Sequence, residues 1–289
     1  MRIFQVIYDL SSGGAERLVV NLSNELSKKN DVFIILIEKY HGDKAFYKNL
    51  VSDRVNVISL NHKSGIKFYA FFEIISLVFK YKPDVVHTHL NTLLYSFLPS
   101  FFFKKINFFH KIHSIAEKSI GFSFQKKINK FFFNNYILPI AISPLCARSF
   151  KEFYKINKID IIENAVPITM PTERFNDVCN QIKKLKVNAK SKVFINIGRI
   201  EPVKNHDLLI STFNQLIDDG NNIILIIIGR QKNLEYFQKL KLKSHPQIHF
   251  IGEIDNPIDY LMCSDCFILS SIREGLPMTI LEAMSVGLP

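Results

Sequence analysis

The feature that most constrains this chain is an alternation of short apolar strands with helical periodicity, run through twice and interrupted once by prolines. In the first run, Ile3–Tyr8, Asp31–Ile37, Val55–Leu60, Asp84–Thr88, Asn107–Ile112 and Tyr136–Ile142 read as strands. Ala15–Lys28, Lys67–Tyr81, Asn91–Phe103 and Lys126–Phe133 between them read as helices. The pattern breaks around Glu163–Thr172, where Pro167 and Pro171 fall, and a polar helical segment continues to Asn188. It then restarts with strands Lys192–Ile197, Asn222–Ile228, Ile248–Ile251 and Asp265–Leu269. Asp207–Asp219, Leu234–Lys243, Pro257–Met262 and Met278–Val286 are the matching helices. Apolar strands separated by helices belong to parallel sheets covered on both faces. The expected fold is therefore α/β, with two doubly wound domains over residues 1–165 and 166–289. Ligands of such sheets bind at the carboxyl ends of the strands, here in the cleft between the domains. The second run has only four strands and closes on Gly287-Leu288-Pro289, punctuation that normally precedes another strand. The expectation is an incomplete second domain, truncated at its C-terminus, with its last apolar strand at an uncovered edge.

Composition narrows the class. Apolar residues make up 47% and charged residues 22% of 289, the balance of a globular chain and not of a disordered one. Met1–Tyr8 is an alternating strand, with too short an apolar stretch and no small-residue cleavage site for a signal peptide. No run of about 18 uncharged apolar residues occurs. These features point to a soluble or peripheral cytoplasmic protein. Cys146, Cys179, Cys263 and Cys266 are too few and too scattered for a disulfide scaffold. Cys263 and Cys266 form a C-x-x-C, but no second pair answers it. Packed, reduced thiols are expected in place of zinc or redox chemistry.

Three segments can carry chemistry. Ser270-Ser271-Ile272-Arg273-Glu274-Gly275-Leu276-Pro277 follows a strand and opens the helix that carries Glu282. Gly275 permits close backbone approach, and Pro277 suits a first helical turn, whose free N–H groups attract phosphate. Glu274 and Glu282 are suited to vicinal hydroxyls of a sugar or ribose. In Asn196-Ile197-Gly198-Arg199-Ile200-Glu201-Pro202-Val203-Lys204, Gly198 keeps a turn open after a strand. Arg199 supplies a fork and Lys204 a point charge, a pair fitted to a diphosphate. Ser12-Gly13-Gly14-Ala15-Glu16 opens the first helix. It is neither G-x-G-x-x-G nor a P-loop. Taken singly, each segment also reads as ordinary surface.

In order along the chain, Gly13-Gly14-Ala15-Glu16, Asp84-Val85-Val86-His87-Thr88-His89, Gly198-Arg199 with Lys204, and Glu274 with Glu282 resemble the retaining family 4 glycosyltransferases of the GT-B fold. Glu163-Asn164-Ala165-Val166 is similar to that family's Asn-Gly-Val hinge. The resemblance covers essentially the whole chain. It implies two Rossmann-like domains, a nucleotide-sugar donor held mainly by the second, and retention of anomeric configuration. By the same resemblance Arg199 and Lys204 hold the donor diphosphate, Glu282 the ribose and Glu274 the transferred sugar. The backbone of Gly275, Leu276 and Pro277 assists, and Gly14 approaches the donor phosphate. His113 resembles the family's active-site histidine, a stabiliser of developing charge. His87 and His89 read either as further cleft histidines or as structural ones. No D-x-D motif occurs, in keeping with a family that needs no metal or cofactor, the nucleotide-sugar being a substrate. Ile228-Gly229-Arg230 departs from the family in carrying one glycine where two are frequent.

The net charge of +11 sits mostly in residues 1–165, which hold 23 Lys and Arg against 13 Asp and Glu. Within Phe101–Phe133, Lys104, Lys105, Lys111, Lys118, Lys126, Lys127 and Lys130 face only Glu117, with Phe interleaved. That stretch reads as an anionic membrane contact or as buried Phe under a solvated Lys face. Nucleic acid is not indicated, because no binding module accompanies the charge. The expected partners are a UDP- or GDP-sugar and a glycan or lipid-linked acceptor, as in surface polysaccharide or glycolipid assembly. A remnant without turnover, or a GT-B-like epimerase or phosphorylase, are the competing readings.

Overall fold

Side chains alternate across a strand, so a strand apolar at every position must be covered on both faces. Both sheets of this computed structural model are built that way. It describes residues 1–63, 68–116, 123–167 and 170–289. Lys67, Glu117, Lys118 and Phe122, which enter the readings above, lie outside the described residues. The chain divides into two compact units, Met1–Ala165 and Val166–Pro289.

Unit 1 holds a seven-stranded parallel sheet in the order β3-β2-β1-β4-β5-β6-β7. Its strands are β1 (Arg2–Ile7), β2 (Asp31–Glu38), β3 (Val55–His62), β4 (Val85–His89), β5 (Asn107–Ile112), β6 (Ile137–Ala141) and the short β7 (Asp160–Ile161). Phe4, Val6, Phe33, Ile35 and Ile37 pack on one face with α2 (Phe68–Tyr81). Ile3, Ile7, Val32, Ile34 and Leu36 pack on the other with α1 (Gly14–Leu26). Each such side chain contributes about 1.5–3 kcal/mol on burial. The expected helix over Asn91–Phe103 is instead a 3-10 segment, Leu90–Ser96, followed by α3 (Phe97–Phe102). Leu90 turns into the left-handed region at φ 55, and the Thr92 hydroxyl caps the tight turn that follows. After α4 (Ser123–Asn135) comes α5 (Pro144–Tyr154), absent from the sequence reading.

Unit 2 begins with α6 (Phe175–Leu185), and its four-stranded parallel sheet runs β10-β9-β8-β11. The strands are β8 (Lys192–Ile197), β9 (Ile223–Ile228), β10 (Ile248–Gly252) and β11 (Cys266–Phe267). β9, all Ile and Leu, is buried throughout. Its even-numbered residues face the core with α6 and α9 (Ile258–Met262), its odd-numbered ones the core with α7 (His206–Asp218) and α8 (Leu234–Leu242). β11 is shorter than the strand expected over Asp265–Leu269 and lies at the sheet edge.

The cysteine expectation is overturned. Cys179 on α6 and Cys263 after α9 form a disulfide with Cα atoms 5.6 Å apart, while Cys146 and Cys266 are free. The two half-cystines are 84 residues apart, and only the packing of α6 on α9 brings them together. The neighbouring Thr172 hydroxyl, bonded to the Asp259 carboxylate, ties the same two segments.

Candidate functional site

In an open parallel sheet the natural ligand position is where strand order reverses, because neighbouring loops there diverge and leave a crevice. Each unit has one such point: beside β1, flanked by β2 and β4, and beside β8, flanked by β9 and β11. The residues singled out from the sequence gather at these two places.

In unit 2 the loop after β8 meets the loop after β11. Lys204 Nζ lies 2.5 Å from Glu274 Oε1, joining the two motifs across 70 residues. Backbone bonds fix the same contact: Ile272 N–H donates to Val203 C=O, and the Ser270 hydroxyl to Lys204 C=O. Arg199 lies 3.6 Å from Glu201, and Lys232 lies 4.0 Å from the other oxygen of that carboxylate. The cations of the sequence reading are thus present, each oriented by a carboxylate. Glu282 is buried on α10 (Met278–Ser285). Pro277 is the N-cap of that helix, which begins at Met278 as expected, and its ψ of 127° is still extended. Gly198 is not the glycine that shapes the turn, since a side chain there would merely touch the Lys204 stem at 3.7 Å. A Cβ on Gly229, by contrast, would stand 1.9 Å from Gly198 O, so the single glycine of Ile228-Gly229-Arg230 is the one that close approach demands. Asn196 donates to Ile268 C=O and leaves its buried Oδ1 without a partner. His206, buried two residues after Lys204, has its pKa lowered to about 4 by desolvation and adds no charge.

In unit 1 the crevice is polar, its imidazole rings neutral and Lys111 a cation beside them. Gly13, the N-cap of α1, leads into Gly14 at the start of that helix, after β1. Register places Gln5 opposite His87, and His89 opposite Lys111. The ring of His89 donates from Nε2 to Gln5 Oε1 at 2.7 Å. Its Nδ1 faces His113 Nε2 at 3.2 Å. An Nε2–H tautomer of His89 makes its Nδ1 an acceptor, so His113 must donate from Nε2 and keep its own Nδ1 as an acceptor. Burial lowers the pKa values of His87 and His110 to about 3, and those of His89 and His113 well below the usual range. The Lys111 ammonium adds to the shift at His87, His89 and His113. His87 Nε2 is buried without a partner. Lys111 Nζ donates to Ile162 C=O at 2.8 Å, and burial lowers its pKa to about 8. A cavity of about 520 Å³ opens beside these groups, lined by His110, Lys111, His113, Tyr8, Asn129 and Tyr154 among others.

Gln5, His110 and Lys111 belong to this site although no sequence motif marks them. A lone Gln in an alternating strand carries no signature, but a Lys inside the apolar strand Asn107–Ile112 was a readable anomaly. Among the described residues no group of three or more His, Cys, Asp or Glu is placed to hold a metal ion.

Residues 12–169 match the model of glycosyltransferase family 4, and residues 177–289 that of glycosyl transferases group 1. The chain belongs to glycosyltransferase family 4. Among its relatives, an uncharacterized glycosyltransferase of Methanocaldococcus jannaschii is 28% identical over 261 residues, 82% of this family 4 chain and 64% of that protein. The Campylobacter jejuni GalNAc-α-(1→4)-GalNAc-α-(1→3)-diNAcBac-PP-undecaprenol α-1,4-N-acetyl-D-galactosaminyltransferase is 26% identical, over 98% of this chain and 77% of that one. The chain thus spans about two thirds to three quarters of the length of these relatives. Among solved structures, Anabaena HepE in complex with UDP and glucose superposes with a TM-score of 0.81 at 16% identity, covering all of this chain and 79% of that one. That likeness establishes the fold, the α/β GT-B architecture with parallel sheets.

Proposed function

We propose that this family 4 chain carries the donor and catalytic groups of a retaining glycosyltransferase. It moves a hexosyl group from a UDP- or GDP-sugar to a glycan or lipid-linked acceptor in surface polysaccharide or glycolipid assembly. The observation that carries the reading is the Lys204–Glu274 pair, which brings the two charged motifs of unit 2 together at the strand-order reversal. A diphosphate reaching that point meets an ammonium already oriented by a carboxylate and a guanidinium held beside Glu201. Charge-assisted bonds from both cations neutralise the diphosphate leaving group without a metal. Glu274 accepts hydroxyls of the transferred sugar and Glu282 those of the ribose, while the backbone of Gly275, Leu276 and Pro277 lines the sugar. On unit 1, Gly14 approaches the donor phosphate. His113, neutral and presenting Nδ1 as an acceptor, takes a sugar hydroxyl without adding charge. The names of relatives support the substrate class: one acts on an undecaprenyl diphosphate-linked glycan, and one structural neighbour was solved with UDP and glucose.

The test is a donor screen with product detection. Saturable binding of UDP or GDP, and transfer from one of their sugars to a lipid-linked glycan with the anomeric configuration kept, is the expected result. No nucleotide binding overturns the donor site. Free sugar, isomerised donor or phosphorolysis in place of transfer overturns the reaction class.

A further inference from the structure

A helix that covers a sheet is apolar on its inner stripe and polar outside. α2 breaks that rule. Ala70, Ile74 and Val78 form its buried stripe, yet the opposite side carries Phe68, Tyr69, Phe72 and Phe79, exposed at 80, 77, 67 and 69%. α3, which packs against α2, continues the surface with exposed Leu98, Phe101 and Phe102. α4 adds exposed Phe124 and Phe131. Ring contacts make the α3–α4 part continuous: Phe101–Phe102 at 5.4 Å, Phe101–Tyr136 at 5.7 Å and Phe131–Tyr136 at 5.9 Å. The Phe-rich stretch is thus divided: Phe108 and Phe133 are buried, Phe103 and Phe132 pack half-buried against the same core, and Phe101, Phe102, Phe124 and Phe131 are exposed. The strongest aromatic side, on α2, lies outside that stretch altogether. Soluble monomers rarely leave so large an apolar surface open.

Charge identifies what covers it. Lys80 ends α2, Lys104 and Lys105 follow α3, and Lys126, Lys127 and Lys130 lie on α4. Among the described residues of the three helices the sole carboxylate is Glu73, which is engaged by His62. A second copy of the chain would set these lysines against themselves. An anionic bilayer accepts both features: aromatic rings settle at the headgroup level, and ammonium groups reach the lipid phosphates. No described helix is long and apolar enough to cross a membrane, and α2 has 14 residues, so the contact lies in the plane of the interface.

We propose that the α2–α3–α4 face of unit 1 docks on the surface of an anionic phospholipid bilayer. The inference goes beyond the transfer reaction and stands on unit 1 alone, so loss of either leaves the other intact. The test is co-sedimentation of the full chain with phosphatidylcholine vesicles, with and without 40% phosphatidylglycerol, at physiological salt. Binding is expected at least tenfold tighter with the anionic lipid. The triple variant Phe68→Ser, Phe72→Ser, Phe79→Ser should lose at least tenfold on anionic vesicles while keeping its melting temperature, since the three side chains project outward. Lys104→Glu with Lys105→Glu should remove the preference for anionic lipid. No vesicle binding, binding indifferent to the triple variant, or equal binding to both vesicle types overturns the proposal. So does a concentration-dependent dimer, seen by ultracentrifugation, that the triple variant abolishes, because the face would then join two copies.

Discussion

The two strand-order reversals solve opposite electrostatic problems. At β8, cations and carboxylates stand together: Lys204 with Glu274, and Arg199 with Glu201. At β1, β4 and β5, titratable rings stand together beside Lys111, and desolvation keeps the rings neutral. The first arrangement suits a dianionic ligand that arrives charged. The second suits hydroxyl recognition, where direction of the hydrogen bond matters more than charge. One topology therefore positions two chemistries, and the loops and strand ends decide which.

The largest expected effect follows from the rings. Their folded-state pKa values lie below the unfolded value of about 6.5, so the unfolded chain binds more protons as pH falls through that value. The rings' contribution to the stability of unit 1 is present above pH 6.5 and is lost progressively toward about 3, the value for His87 and His110. Each ring contributes up to ~1.4 kcal/mol per pH unit in that window. Between pH 7.5 and 5.5 unit 1, with four such rings, should lose about 5 kcal/mol, and unit 2, whose His206 is lowered to about 4 and whose His249 is lowered by burial too, about 1 to 2. Urea-dependent hydrogen exchange, read separately for peptides of each unit, measures both. Equal losses would erase the contrast.

The disulfide comes next, and it belongs to unit 2 alone. Reducing Cys179–Cys263, or replacing Cys179 by Ser, should cost unit 2 about 4 to 5 kcal/mol, the value for a loop of this length. Exchange should rise first in α6 and α9 and leave unit 1 unchanged. Thiol titration of the unfolded, unreduced chain should find Cys146 and Cys266 only. Four reactive thiols would show that the pair does not form.

Lys204→Ala should weaken UDP or GDP binding about 100-fold, since a charge-assisted bond to phosphate contributes about 2 to 3 kcal/mol. His113→Ala should change nucleotide affinity by less than about twofold while lowering turnover. Isothermal titration separates the two. An unchanged affinity in Lys204→Ala would remove the charged half of the comparison.

These effects differ in how far the sequence announces them. Glu274, Glu282 and Lys204 are legible because charged residues after apolar strands stand out locally. Their meeting is not, since it needs β11 beside β8. Cys179 is hidden for the same reason: its partner is 84 residues away, while the C-x-x-C draws attention to Cys266 instead. α5 was readable. Ser143 caps it by accepting from Cys146 N–H, Pro144 opens it, and Cys146, Ala147, Phe150 and Tyr154 repeat at helical spacing on its buried side. The alternation of strands and helices carries the fold because period and coverage are local properties. Register is not, and Gln5 comes to His89 only through the β1–β4 ladder.

The smallest expected effect tests that ladder. Gln5→Leu removes the acceptor that holds His89 in its Nε2–H form. His89 is then free to carry its proton on Nδ1, where it donates to His113 Nε2. His113 must in turn move its proton to Nδ1 and present a donor where it presented an acceptor. The fold should lose only about 1 kcal/mol, the net worth of one buried hydrogen bond. The reversal itself is visible in the ring nitrogen resonances of His113, where the protonated and bare nitrogens exchange identity. Gln5→Glu retains an acceptor for His89 Nε2–H and should keep the original tautomer. If both variants leave the His113 ring unchanged, Gln5 and His89 do not set its direction, and the neutral ring cluster of unit 1 is a packing feature and not a positioned hydrogen-bond acceptor.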